Sequence, residues 1–355
     1  MKMRGEEKLL LVAGGTGGHA FPCYAFYKYL KQQKVSTFVV TDFIQIFEDT
    51  ASTYVQAMPR GKRNMTFIRS IIRLAKHQFS IIKKIDPTHT FLFGSVYCLP
   101  TFLALVAWRL KGHKCKIILH EQNIIMGKMN RLLQFFCSHI ITSYQNTTGI
   151  FPTIKKKVTH AGFLVRPDFH KRKIPPQKKK TIVILGGSQG ANFFASTHFL
   201  KFWYYLLSEK EQIGKVYHQV PGVFVSATQH LYRKLNINAQ TDEFFDNIPL
   251  IMSEADVLIS RAGGSVIGEA LSCSIPTIFI PYRFARDQHQ LLNAQHLTDQ
   301  GAALLVEEKD MNPQALAQMV QNIWGKSKKS KSMRANMSKL CKKNTCALMH
   351  KLCKI

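Results

Sequence analysis

Leu9-Leu10-Leu11-Val12-Ala13 runs straight into Gly14-Gly15-Thr16-Gly17-Gly18-His19, and half a chain later Thr181-Ile182-Val183-Ile184-Leu185 runs into Gly186-Gly187-Ser188-Gln189-Gly190-Ala191. Each apolar run is short, aliphatic and unalternated, the pattern of a strand buried on both faces of a parallel sheet. Each is followed by a loop that glycine makes sterically easy. At the start of the next helix the backbone N–H groups lack intrahelical partners, and the aligned peptide dipoles add about half a positive charge there. Two such units predict an α/β protein of two doubly wound, Rossmann-like domains facing a cleft, each with an anion site at its first switch point.

The loops also exclude chemistry. Neither ends in the Lys-Ser/Thr of a nucleotide P-loop, and neither has the Gly-x-Gly-x-x-Gly spacing of a dinucleotide fold. Further strands are expected at 37–41, 116–120, 139–143, 216–220, 257–260 and 277–281, alternating with helical stretches. A basic, proline-containing segment across 162–180 marks the boundary between domains. The expected organisation is a first domain over 1–165, a second over 166–325, and a basic tail or helix over 326–355.

The chain has 355 residues, with 49 Lys and Arg against 21 Asp and Glu for a net charge of +28. A hydrophobic share of 46% with 20% charged residues excludes global disorder and allows two cores. The eight cysteines are too sparse for a disulfide framework and lack zinc-site spacing, so all read as reduced thiols in an intracellular protein. Near the N-terminus Glu6 and Glu7 precede only a short apolar run, which argues against a signal peptide. Residues 90–108 carry no formal charge over nearly a bilayer-spanning length, but Gly94 and Pro100 interrupt them. A buried strand, a turn and an apolar helix are expected instead.

So large a positive surplus favours an anionic partner. No nucleic-acid motif is present, so a phosphate-bearing substrate or an acidic membrane surface is favoured over nucleic acid. Residues 66–85 repeat Phe67, Ile68, Ile71, Ile72, Ala75, Phe79 and Ile82 at helical spacing, with Arg69, Arg73, Lys76, Lys83 and Lys84 between them. Such a helix lies either on an anionic bilayer or against the core with a solvated basic face.

Polar side chains gather where parallel strands are expected to end. His19 opens the helix after the first glycine loop, where the dipole favours a neutral imidazole able to act as a general base; it also reads as a capping histidine. His120-Glu121-Gln122-Asn123 closes another strand, as ligand contacts or as a satisfied strand-end network. Arg261-Ala262-Gly263-Gly264-Ser265, with Glu269 in the helix beyond, offers glycines for close phosphate approach and a carboxylate for a ribose diol. Asp287 to Asn293 supplies amides and a carboxylate suited to sugar hydroxyls. No Asp-x-Asp occurs, so the metal clamp of one class of nucleotide-sugar enzymes is missing and no metal or cofactor is expected.

As an ordered set these motifs resemble the N-acetylglucosaminyltransferase family of peptidoglycan synthesis (MurG type), over roughly residues 8–320. The resemblance implies a two-domain glycosyltransferase of the B type, peripheral to the cytoplasmic face of the cell membrane. Its donor would be UDP-N-acetylglucosamine, and its acceptor the 4-hydroxyl of N-acetylmuramic acid on undecaprenyl diphosphate (lipid I). It also implies roles: Thr16, Gly17, Gly18, Asn123, Arg166, Ser188, Phe245, Gly264, Ser265, Val266, Ile267, Gly268, Glu269 and Gln290 at the donor, and Gly14, Gly15, His19 and Glu121 at the acceptor. His19 would be the base of an inverting displacement at C1.

Three departures from the family pattern stand out. Gly-Gly-Tyr-x-Ser before a proline becomes Gly94-Ser95-Val96-Tyr97-Cys98-Leu99-Pro100, and Gly-Asn-Pro-Val-Arg becomes Gly162-Phe163-Leu164-Val165-Arg166. The basic tail lies outside the pattern and reads as a membrane-contacting helix or a disordered end. The altered 94–98 loop leaves open a B-type transferase with another lipid or glycan acceptor, and a non-catalytic UDP-sugar-binding scaffold is the reading from another class.

Overall fold

Leu9, Leu10, Leu11 and Val12 have no exposed surface, because the strand they form is hydrogen-bonded on both edges within a parallel sheet covered on both faces. The computed structural model describes residues 7–47, 52–59, 65–169, 180–187, 191–207, 213–324 and 327–354. Most of the expected linker, at 170–179, lies outside the described residues, as do Ser188, Gln189 and Gly190. Two units result: Met1–Pro167 with Lys342–Ile355, and Asp168–Cys341.

The first unit carries β1 (Lys8–Val12), β2 (Ser36–Thr41), β3 (Thr53–Val55), β4 (His89–Leu92), β5 (Lys116–Glu121), β6 (His139–Thr142) and β7 (Val158–His160). They form one parallel sheet in the order β3-β2-β1-β4-β5-β6-β7. The order reverses between β1 and β4, so the first glycine loop sits at the switch point. The second unit repeats the plan with β8 (Lys180–Leu185), β9 (Ile213–Gln219), β10 (Ala239–Asp242), β11 (Val257–Ser260), β12 (Thr277–Phe279) and β13 (Leu304–Leu305), in the order β10-β9-β8-β11-β12-β13. All its pairs are parallel too, and its switch point lies between β8 and β11.

Residues 90–108 resolve as expected into the end of β4, a short 3₁₀ turn (Val96–Cys98) and the helix Leu99–Leu110. Among the described residues no helix is long and apolar enough to cross a membrane. The basic amphipathic segment is the helix Met65–Ile85. One face buries Ile71, Gln78, Ile81, Ile82 and Ile85, while Met65, Ile68 and Ile72 are half exposed or more. The core-facing reading is thus realised along one face, which leaves Ile68 and Ile72 beside it half exposed.

The basic tail forms two helices. Lys328–Leu340 buries Ser330, Met333 and Met337 in the second unit, where Arg334 Nη1 donates to Ser274 O at 2.8 Å. Thr345–Lys351 belongs to the first unit, anchored by Thr345 Oγ1 donating to Ala161 O at 2.9 Å. Its Met349 enters the core around Ala25, Phe26 and Phe91. The eight cysteines form no disulfide.

Candidate active site

In the first unit the polypeptide turns sharply at Gly15, whose φ of +84° favours glycine. The Gly15 N–H donates to both oxygens of Asp42, at 3.0 and 3.1 Å. Gly14 is pressed against the same side chain and the Tyr97 ring: a Cβ there would lie 2.5 Å from Asp42 Oδ1 and 2.6 Å from the ring. The helix Gly17–Gln32 then begins with Thr16 as its N-cap. Thr16, Gly17, Gly18 and His19 are therefore placed at the positive end of that helix.

His19 is oriented from the backbone. Its Nδ1 lies 2.7 Å from Phe93 O, just past β4. A carbonyl can only accept, so Nδ1 carries the proton and the lone pair of the neutral ring is on Nε2. The contact depends on Gly94, where φ is +93° and a Cβ would come within 3.1 Å of His19 Cε1. The next residue, Ser95, has φ +67° and ψ 166°, a region nearly reserved for glycine. Its hydroxyl accepts from Tyr97 N at 3.1 Å and donates to Gly14 O at 3.4 Å, tying the altered loop to the glycine loop. The Tyr97 hydroxyl donates to Gln56 O at 2.7 Å.

At the end of β5, Glu121 is 3% exposed and both of its oxygens are occupied by neighbours. Oε1 accepts from the Asn123 backbone N–H at 3.0 Å and from Asn123 Nδ2 at 3.1 Å. Oε2 accepts from Gly127 N and Asn130 Nδ2, both at 2.9 Å. Glu121 thus organises the loop that presents Asn123. His120 is buried against the Phe93 ring, and burial, reinforced by the neighbouring His19, pulls its pKa down to about 3. It is a neutral packing histidine at neutral pH. Gln122 Nε2 would lie 3.3 Å from a Cβ at Gly18, which brings the 120–123 strand end to the first glycine loop. Arg166 stacks its guanidinium 4.5 Å from the centre of the Phe21 ring, on the helix that His19 opens.

In the second unit Gly187 turns the chain after β8 with φ +84°. Beyond β11, Gly263 is the N-cap of the helix Gly264–Cys273. A Cβ added at Gly187 or Gly263 would meet nothing within 4 Å, so both loops border open space. Gly264, Ser265, Val266, Ile267 and Gly268 form the first turns of the helix, and Glu269 follows, 7% exposed. Asn293 supports this loop by donating from Nδ2 to Ala262 O at 3.2 Å. Arg261 has a scaffolding role: it donates to Ile280 O at 2.9 Å, pairs with Glu308 and lies over the Phe193, Phe194 and Tyr282 rings.

Gln290 Oε1 accepts from Tyr282 N at 3.0 Å, which leaves the amide N–H groups as its donors. Just before it, Asp287 and Gln288 both have left-handed backbones, φ +51° and +52°. Phe245, 8% exposed, packs edge-on against Tyr217 and borders a depression of about 290 Å³ with Asp242, Asp246 and Asn247. Ser188 lies outside the described residues. Sequence reasoning passed over Asp42, Phe93 O and Asn130; Asp42 follows the end of β2, a position that in such sheets signals a site.

Two family models match: the glycosyltransferase family 28 N-terminal domain over residues 9–142 and its C-terminal domain over 181–350. A UDP-N-acetylglucosamine--N-acetylmuramyl-(pentapeptide) pyrophosphoryl-undecaprenol N-acetylglucosamine transferase of Wolbachia sp. subsp. Brugia malayi is 30% identical over 341 residues, 95% of each chain. The protein of that name from Rickettsia bellii is 29% identical over 335 residues, 88% of this chain and 90% of its own. The crystal structure of Acinetobacter baumannii MurG shares the fold, with a TM-score of 0.75 and 24% identity over 98% of this chain and 99% of that one. With both domain models matched in order, each opening on the strand before one of the two glycine loops, the chain belongs to glycosyltransferase family 28.

Proposed function

We propose that this enzyme transfers N-acetylglucosamine from UDP-N-acetylglucosamine to the 4-hydroxyl of N-acetylmuramic acid in lipid I, forming lipid II for peptidoglycan. The observation that carries the mechanism is the 2.7 Å contact of His19 Nδ1 with Phe93 O, which puts the basic lone pair on Nε2 beside an anion-favouring loop. Nε2 takes the proton of the 4-hydroxyl as its oxygen attacks C1. The C1–O bond to the diphosphate breaks on the opposite face, which inverts the anomeric centre, and UDP departs.

The leaving diphosphate gains charge as that bond breaks. N–H groups at the start of the helix Gly264–Cys273 and in the Gly186-Gly187 loop stabilise it without a bound metal. Glu269 holds the ribose diol, the backbone at Phe245 reads uracil, and Gln290 donates to the sugar. From the first unit Thr16, Gly17, Gly18, Asn123 and Arg166 complete the donor contacts; Gly14, Gly15 and His19 serve the acceptor. Glu121 acts at one remove, by holding Asn123.

The acceptor's lipid places the reaction at the cytoplasmic face of the cell membrane, and the first unit supplies the docking surface. Ile68 and Ile72 are 51% and 50% exposed among Arg69, Arg73 and Lys76. Phe135 and Phe151, 46% and 54% exposed, pair edge-to-face at 5.1 Å. Apolar side chains ringed by cations suit an anionic bilayer surface.

The test is UDP release from UDP-N-acetylglucosamine, in buffer without added magnesium or manganese, with and without a lipid I analogue, followed by mass analysis. Acceptor-dependent release with one added N-acetylhexosamine is expected. No release by protein that binds UDP would overturn the acceptor assignment and favour another lipid or glycan.

A further inference from the structure

At the end of the first sheet opposite the glycine loop, three side chains far apart in sequence converge. Glu7 precedes β1, His89 begins β4, and Cys353 lies in the short turn after the last helix. A carboxylate oxygen, an imidazole nitrogen and the sulfur all lie within 4.8 Å of one another. The cysteine spacing carries no sign of this cluster, because folding brings Glu7 to Cys353 from the other end of the chain.

Hydrogen bonding fixes which nitrogen of His89 is the ligand. The single proton of the Thr88 hydroxyl is donated to Lys8 O at 3.0 Å. Toward His89 Nδ1, 3.1 Å away, that oxygen must therefore accept, so Nδ1 carries the ring proton and Nε2 the lone pair. His89 is 8% exposed, and its Nε2 is buried with no hydrogen-bond partner. Glu7 Oε1 is likewise buried without one. Its other oxygen, Oε2, lies 3.2 Å from His350 Nε2. A histidine that gives one N–H to an oxygen while its other nitrogen is buried without a partner beside a carboxylate and a thiol has the arrangement of a metal ligand.

We infer that Glu7, His89 and Cys353 form a structural zinc site that clamps the C-terminal helix to the first unit. Nitrogen, sulfur and oxygen together match zinc better than magnesium or calcium, which prefer oxygen alone. A carboxylate and a thiolate neutralise the two charges of the ion, which makes burying it feasible; binding releases the Cys353 thiol proton. In a tetrahedral zinc site ligand atoms stand about 3.5 Å apart, so closure needs side-chain shifts of about 1 Å. A water or His350 would complete the shell. Lys116, paired with His89 across the β4–β5 ladder, is the opposing charge. The site is separate from the transfer chemistry, which uses the opposite ends of the strands.

The test is zinc content and thermal unfolding of the full-length protein. After dialysis with excess zinc sulfate and removal of free metal, about one zinc per chain is expected, with a lower Tm once a chelator strips it. Cobalt in its place should show the absorption of a thiolate–cobalt bond. Cys353→Ser should lose that band, and His89→Gln should lose metal retention, while both keep UDP binding in the second unit. Substoichiometric zinc in the wild type, or a Tm and metal content unchanged by both substitutions, would overturn the site and leave a hydrogen-bonded cluster only.

Discussion

His19 and Gly94 make one device from two residues. Replacing His19 with Ala removes the proton acceptor but no donor contact in the second unit. Turnover should fall about a hundredfold or more with UDP affinity unchanged in calorimetry; normal turnover would take His19 out of the mechanism. Gly94→Ala puts a side chain at φ +93° and 3.1 Å from the imidazole. It should cost about 1–3 kcal/mol in stability and lower kcat together with Tm; an unchanged kcat would mean that the ring does not need this seat. In the second unit, Glu269→Ala should weaken UDP binding by about 1.5–3 kcal/mol, the range for hydrogen bonds to a charged group, and unchanged affinity would sink the ribose assignment. His19 and Glu269 were legible in the sequence because each follows a glycine loop by a fixed, short step. The carbonyl that selects the tautomer of His19 was not, since Phe93 meets it only through the β1–β4 pairing, and the four-donor shell of Glu121 likewise requires the loop from 122 to 130 to close on itself.

Among the elements, the long central strands could be read from their uninterrupted aliphatic runs. The short ones, β3, β7, β10 and β13, could not: two to four residues, such as the part-exposed Thr53–Val55, carry no periodicity, and only the neighbouring strand makes them strands. The helix Met65–Ile85 shows the limit of pattern reading in another way. Its apolar stripe is wider than the face that packs, so Ile71, Ile82 and Ile85 are buried while Ile68 and Ile72 beside them remain half exposed. Changing Ile68 and Ile72 to Ser should lower Tm only slightly, because about half of each side chain is already in solvent, and should weaken sedimentation with anionic phosphatidylglycerol vesicles. Added salt should weaken the wild type as well, since the Debye length shortens to about 3 Å at 1 M. Equal vesicle binding by wild type and double variant would remove this helix from the docking surface.

For the whole molecule, acid is the expected weakness. His120 and His218 are buried, and burial holds each pKa down at about 3, against about 6.5 in an unfolded chain. Between those values the unfolded state binds the extra protons, so stability present above pH 6.5 is lost as pH falls toward 3. Two such groups cost about 4 kcal/mol between pH 7 and pH 5. Tm measured across that interval should drop steeply; a flat profile would mean that the folded protein protonates them too.

The composition and the paired glycine loops foretold two Rossmann-like units, but not the return of residues 342–355 to the first of them. That return sets a timetable for synthesis. The first unit leaves the ribosome first, yet the helix Thr345–Lys351, whose Met349 fills its core, emerges only after the entire second unit has been made. Until then the nascent first sheet has an uncovered apolar flank beside Phe26 and Phe91, which a chaperone would have to shield.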